Sequence, residues 1–251
     1  MRLTRLHVPG LERDTGEVEL PEAAAAHVAR VLRLRPGARL VLFDGSGTDF
    51  QAEISEIGGG RVRARVLGCV AGLPPSPLSV TLAQGVARGE RMDWTLQKAT
   101  ELGVHRIRPV LSARSVVRLD EQQGTRRLRH WQGVVASACE QCGRSVLPLV
   151  EPPLTLAQHL DRPAAELRLL LHPRGEHSLV GMIAEHGSGQ RPSAPTVELL
   201  IGPEGGLDYA EISAALRTGY VAVRLGPRVL RTETAGIAAL AVLQALAGDL
   251  R

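Results

Sequence analysis

Aromatic side chains are scarce: 2% of 251 residues, with two each of Trp, Tyr and Phe. So few rings argue against a single-strand binder that stacks successive bases on a row of aromatic platforms. Cysteine is equally thin. Three cysteines are an odd number for a disulfide scaffold and point to a reducing, cytoplasmic setting. No apolar run approaches the ~20 residues a spanning helix needs, so no membrane role is expected. Met1-Arg2-Leu3-Thr4-Arg5 leads into no apolar signal segment, and secretion is not expected either. Lysine is almost missing: of 30 basic residues only Lys98 is one. Arginine forms planar bidentate forks to phosphate, which suits RNA, although a biased genome composition yields the same excess.

Hydrophobic residues make up 44% and charged residues 22%, ordinary values for a globular chain able to bury a core. The net charge of +4 is local. Lys and Arg outnumber Asp and Glu by 11 to 6 over residues 76–150, while the flanking parts stand at 10 to 9 and 9 to 11. A mid-chain surplus of this kind fits a phosphate-facing surface or a solvated basic face.

The sharpest break in composition is Ala71-Gly72-Leu73-Pro74-Pro75-Ser76-Pro77, which can continue neither a helix nor a central strand. It predicts two domains, 1–72 and 73–251. Before the break, short apolar stretches (Leu40–Phe43, Gln51–Ile57, Val62–Val66) alternate with glycine turns, as in a small, mostly β barrel. One helix is expected from Glu22 to Leu34, ended by Pro36-Gly37. After the break, strand and helix alternate. Strands are expected at Ser79–Ala83, Arg106–Leu111, Leu167–Leu171, Val197–Ile201 and Val221–Leu225, and helices at Glu90–Leu102, Arg126–Cys139, Ser178–His186, Tyr209–Arg217 and Thr234–Ala247. This pattern predicts an α/β fold with a parallel sheet covered on both faces.

Three of these strands run straight into Gly/Pro loops: Leu171-His172-Pro173-Arg174-Gly175, Ile201-Gly202-Pro203-Glu204-Gly205-Gly206 and Leu225-Gly226-Pro227-Arg228-Val229-Leu230-Arg231. In an open α/β sheet ligands sit beyond the carboxyl ends of the strands, and glycine lets backbone approach them closely. Asp208 and Glu211 are spaced as a capping box, and Thr232 or Thr234 can cap the last helix. None of the loops is a dinucleotide or P-loop motif. Cys139-x-x-Cys142 lacks a second metal-ligand pair, so a zinc site is not expected and the pair reads as small apolar residues.

Together these segments resemble a known family. The three loops are similar to the cofactor loops of SPOUT methyltransferases. Arg88-Gly89-Glu90-Arg91-Met92, Gln97–Gly103, Ala138–Arg144 and Leu225–Ala235 resemble, more closely, the RsmE family of uridine-N3 methyltransferases of 16S, small-subunit ribosomal RNA. His27–Gly37 resembles that family's N-terminal PUA-like barrel. The resemblance spans nearly the whole chain. It implies a SPOUT-type parallel sheet with a C-terminal trefoil knot, preceded by a small PUA-like β-barrel domain. It also implies S-adenosylmethionine as cofactor, ribosomal RNA or the small subunit as partner, and a homodimer through the C-terminal domain.

Carried onto this chain, the resemblance makes Leu171, His172, Ile201, Gly202, Gly205, Leu225, Gly226, Leu230 and Thr234 the cofactor-binding residues. Uridine N3 is a weakly acidic imide, so methylation calls for a proton acceptor or a cation beside O2 or O4. Glu233, Arg231 and Arg88 are the catalytic candidates, with Glu233 alternatively a partner for Arg231 or for backbone amides. Arg2, Arg5, Arg30, Arg33, Arg114 and Arg144 are the RNA-binding candidates, helped by Arg35 and by Arg126-Arg127-Leu128-Arg129. A SPOUT enzyme for another ribosomal or transfer RNA base, or an inert RNA-binding assembly factor, are the alternatives.

Overall fold

The computed structural model describes residues 3–187 and 196–250. They divide into two compact units: the chain up to Pro75 with Ala136–Leu147, and Ser76–Val135 with the chain from Pro148 onward. The sequence places a single boundary at 72/73. The segment 136–147 joins the first unit because its polar groups bond there. Glu140 Oε1 accepts from the His7 amide at 2.9 Å, and Ser145 Oγ donates to Asp49 Oδ1 at 2.6 Å.

The first unit is a five-stranded sheet of β1 (Thr4–His7), β2 (Glu17–Glu19), β3 (Arg39–Phe43), β4 (Thr48–Gly58) and β5 (Arg61–Ala71), in the order β1-β3-β4-β5-β2. Period-two alternation builds it: Val62 and Ala64 of β5 turn into the core, while Arg61, Arg63 and Arg65 turn out. Leu6, Leu40, Leu42, Phe50, Ile54 and Val28 fill that core. The expected helix is shorter than its pattern. It runs as α1 (Glu22–Ala26), then a π-helical turn over His27–Val31, and Arg33 breaks it in the left-handed region at φ 51°.

The second unit begins with β6 (Ser79–Gly85), α2 (Glu90–Glu101), β7 (Arg106–Leu111) and α3 (Glu121–Cys142), whose last residues belong to the first unit. Short elements follow, β8 (Leu149–Val150), β9 (Leu154–Thr155) and α4 (Leu156–Leu160). Then come β10 (Leu167–Leu171), β11 (His177–Ser178), α5 (Leu179–Gly187), β12 (Thr196–Ile201), α6 (Tyr209–Arg217), β13 (Val221–Arg224) and α7 (Thr232–Ala247). The strands pair in the order β11-β13-β10-β12-β6-β7-β8, with β9 also on β7, and every pair is parallel. Successive strand residues go to opposite cores. Leu82, Leu169 and Leu199 pack with Leu96, Trp131 and Leu240, while Ala83, Leu170 and Leu200 pack with Val110, Leu160 and Tyr220. Burial on both faces is why these strands read as continuous apolar runs. The last helix, apolar almost all round, buries Ala235, Gly236, Ala239, Leu240 and Leu243 within its own unit.

A polar network lies inside this apolar frame. Arg108 donates to Glu151 at 2.9 Å and to Glu198 at 2.8 Å, and Arg168 donates to Glu198 at 3.3 Å. The imidazole of His159 lies between Arg108, 3.2 Å from Nδ1, and Tyr220, 2.6 Å from Nε2. Arginine only donates, so Nδ1 accepts and Nε2 carries the proton of a neutral ring. Tyr220 in turn donates to Glu198. Burial pushes the His159 pKa down to about 4, although Glu198 pulls the other way. Acidification therefore protonates His159 in the unfolded chain first, since its ordinary value is 6.5. Stability should fall from about pH 6.5 to about pH 4 by up to roughly 3 kcal/mol from this group. Urea unfolding across that range checks it: His159→Gln removes this part of the slope, and an unchanged slope would assign it elsewhere.

Candidate functional site

Strands β13, β10 and β12 are neighbours, so the loops leaving their carboxyl ends emerge side by side. They enclose a cavity of about 810 Å³ lined by Leu171, His172, Ile201, Gly202, Leu225, Gly226, Leu230, Arg231 and Glu233, among others. That is the size and position expected of a small-molecule site in an open α/β sheet.

Each loop is fixed by backbone. After β10, the His172 amide donates to Val223 O at 2.9 Å, and the Gly175 amide closes a turn onto His172 O at 3.0 Å. A side chain at Gly175 would come within 2.5 Å of the Val223 carbonyl carbon, so only glycine fits. The His172 ring accepts from the Arg174 amide at 3.2 Å. Partial burial and then Arg174 hold its pKa below the ordinary value, which keeps the ring neutral at pH 7. After β12, Gly206 turns through φ 68° while its amide reaches Pro203 O at 2.8 Å. The capping box then starts α6: Asp208 and Glu211 side chains accept from each other's amides at 2.8 and 2.9 Å.

The third loop departs from expectation. Neither Thr232 nor Thr234 caps α7; Arg231 holds the N-cap position without a side-chain cap bond. Thr232 is instead the first residue of the helix, and its buried hydroxyl donates to Gly202 O at 2.5 Å and accepts from Gln84 Nε2 at 2.9 Å. The hydroxyl is drawn to the neighbouring loop rather than to its own helix, so one side chain joins β6, the loop after β12 and α7.

Charge at the cavity centres on Arg91. Its guanidinium reaches Glu204 Oε1 at 3.2 Å and stands 4.0 Å from Glu233 Oε1. Burial would raise the Glu204 pKa, but bonds from the Arg88 amide, its own amide and Arg91 outweigh it, so the carboxyl sits below its ordinary range. Glu204 is thereby committed to holding the loop, a poor proton acceptor. Glu233 differs. Its side chain is 15% exposed, and Oε2 is buried with no hydrogen-bond partner among the described residues. A buried carboxylate oxygen without a donor is costly, and it belongs to a residue that lines the cavity.

Other expected site residues lie elsewhere. Gly205 and Thr234 are exposed and lie outside this lining; Gly205 abuts Arg114, whose guanidinium donates to its carbonyl at 3.2 Å. The Arg88 side chain is exposed and its amide serves Glu204. Arg30 and Arg33 are exposed, as is Arg35; Arg2 lies outside the described residues. Arg5 and Arg144 correct the expectation of surface arginines. Arg5 forks onto Asp49 at 2.6 and 2.9 Å and stacks on Phe43, 5.0 Å from the ring centre, and Arg144 is 8% exposed. Sequence clustering shows how many arginines a segment has, not which way they point. Cys139 is also inert: burial pushes its thiol up to about 12, and all three cysteines are unbridged.

The family model of the RNA methyltransferase domain matches residues 74–244, and that of the RNA methyltransferase PUA domain matches residues 20–67. This chain belongs to that RNA methyltransferase family. A ribosomal RNA small subunit methyltransferase E from Mycobacterium bovis is 35% identical over 93% of this chain and 88% of its own length. One from Bacillus subtilis is 30% identical, over 86% and 85%. The solved Neisseria gonorrhoeae methyltransferase E, bound to S-adenosyl methionine, is 37% identical over the whole of both chains, with a TM-score of 0.87. A Legionella pneumophila protein solved with bound S-adenosylmethionine is 38% identical, again over the whole of both, with a TM-score of 0.91. The fold is accordingly the SPOUT-type parallel sheet, preceded in the chain by a PUA-like domain.

Arg91, Thr232 and Gln84 are the site residues that sequence reasoning passed over. Arg91 lies inside Arg88–Met92, one of the family-like segments, so its signal was present. The Gln84–Thr232 bond spans 148 positions and left none. Thr232→Val removes both buried bonds and should lower stability by about 1–3 kcal/mol in urea unfolding, while Thr232→Ser retains most of it. Equal stability of Val and Ser variants would deny the hydroxyl this role.

Proposed function

We propose that the chain is an S-adenosylmethionine-dependent methyltransferase that methylates N3 of one uridine in 16S ribosomal RNA, acting in the cytoplasm as a homodimer. The observation that carries this reading is the cavity itself, built by three adjacent strand-end loops in a family with relatives solved around that cofactor. The residues present fit the group. Leu171, Ile201, Leu225 and Leu230 supply apolar walls, and Gly202 and Gly226 leave backbone open to contact. The knot is part of the same reading: β13 lies between β10 and β11, and α7 then returns to β6 and β12. For the dimer, Leu246 of α7 and Trp94 of α2 leave apolar surface exposed on packed helices.

The cofactor, when bound, supplies a methyl group already activated on a sulfonium, so no other electrophile is required. The protein's task is to place a weakly acidic N–H and to take its proton. Glu233 is the acceptor, because it lines the cavity at the N-terminus of α7 and its Oε2 has no hydrogen-bond donor among the described residues. Arg91 beside Oε1 orients that carboxylate. Arg231, also on the cavity, faces the charge that develops on the uracil oxygens. N3 lies on the pairing edge of the base, so the target nucleotide is unpaired or extruded before it enters.

Calorimetry and methyl transfer to small-subunit RNA test this together. The protein should bind S-adenosylmethionine at micromolar to millimolar concentration. Glu233→Gln should cut kcat by about 10²–10⁴-fold, the usual worth of a positioned base, with cofactor affinity changed little. A wild-type protein that binds no cofactor contradicts the reading, and a Gln variant with full kcat removes Glu233 as the acceptor.

A further inference from the structure

The cavity carries more positive charge than its cofactor can use. Five arginines line it, Arg91, Arg114, Arg174, Arg228 and Arg231, against two carboxylates, Glu204 and Glu233. Arg91 already faces both carboxylates, and Arg114 is pinned to the Gly205 carbonyl. Arg174 and Arg228 are exposed, and neither side chain has a carboxylate partner among the described residues. S-adenosylmethionine is itself a net cation, since its sulfonium and ammonium outnumber its one carboxylate. Uncompensated arginines around a cation's pocket raise the cost of loading it, so a polyanion is what they suit.

Their placement identifies that polyanion. Arg174 follows β10 and Arg228 follows β13, and these two strands are hydrogen-bonded neighbours. The two arginines therefore line one cavity from loops that leave neighbouring strands. A base drawn into the cavity brings its phosphodiesters to the exposed residues of these loops. Guanidinium forks match phosphate oxygens in geometry as well as charge.

We propose that Arg174 and Arg228 hold the RNA phosphates that flank the target nucleotide and take no part in binding the cofactor. This rests on the methyltransferase reading above and adds an RNA contact within the catalytic unit itself. Loss of either side chain then leaves cofactor loading as favourable as before or slightly more so, whereas capture of the RNA strand depends on them. The contact carries no base information; it fixes the register of the strand over the cavity.

The test compares wild type with Arg174→Gln, Arg228→Gln and the double variant. Cofactor affinity is measured by calorimetry, and affinity for small-subunit RNA at several salt concentrations with S-adenosylhomocysteine present. Each substitution should weaken RNA binding and lower the slope of log affinity against log salt by about 0.7–0.9, the contribution of one phosphate contact. Cofactor affinity should not fall by more than about twofold; the salt slope has no reason to move if the residues are merely structural. Weaker cofactor binding with unchanged RNA binding would assign the arginines to the cofactor carboxylate and overturn the proposal. Unchanged RNA affinity and slope in the double variant would overturn it too. Failure of the wild type to transfer methyl to RNA would strike the methyltransferase reading instead, which separates the two.

Discussion

The Thr232 hydroxyl is the constraint on which the site depends. Three loops can emerge side by side from adjacent parallel strands and still splay apart, because loops carry few packing contacts of their own. Here one buried oxygen donates to the Gly202 carbonyl and accepts from Gln84, and that ties the loop after β12 to the first turn of α7 and to the end of β6. Close backbone contact completes the joint: a side chain at Gly85 would meet Pro203 N at 2.3 Å. Glu233, the next residue along α7, inherits its position from this arrangement. A carboxylate oxygen is thereby held buried in a residue of the cavity wall with no donor among the described residues, a costly state that tertiary structure maintains.

Arginine serves three separate purposes in this chain, and the structure sorts them by partner. Arg108 and Arg168 are locked to Glu151 and Glu198 beneath the sheet, with a neutral His159 and Tyr220 completing the hydrogen bonds. Such a network tolerates no missing member, since each buried charge is balanced only by its neighbours. Arg5 does the same for the N-terminal unit through Asp49. Arg91 bridges two carboxylates at the cavity. Arg174 and Arg228, which have no carboxylate partner among the described residues, are the ones proposed to meet RNA. A count of basic residues cannot distinguish these uses.

Much of the architecture was legible in the sequence, and the reasons are physical. Strands Arg106–Leu111 and Leu167–Leu171 and helix Tyr209–Arg217 are read to the residue because turn glycines, a capping box and a change of period bound them. The cavity was legible because three strands in one sheet each run into a glycine loop, where a single such loop reads equally well as a tight turn, and because the three resemble the cofactor loops of one family. What stayed hidden depends on register across the sheet. Arg108, Glu198 and Tyr220 meet only because β7, β6, β12, β10 and β13 stack in their particular order. The same applies to Thr232, whose local pattern suggested a helix cap, and to Arg5, whose charge suggested a surface. Elements too short to show a period, β8, β9 and α4, gave no signal at all.

The central claim is that this cavity delivers a methyl group to the pairing edge of a uridine. Its most direct test is nucleoside mass spectrometry of small-subunit ribosomal RNA after incubation with the purified protein and S-adenosylmethionine, with the modified position mapped by fragment. The account predicts one added methyl, on N3 of a single uridine. A methyl on ribose, on carbon or on another base, or no methyl at all, would contradict it.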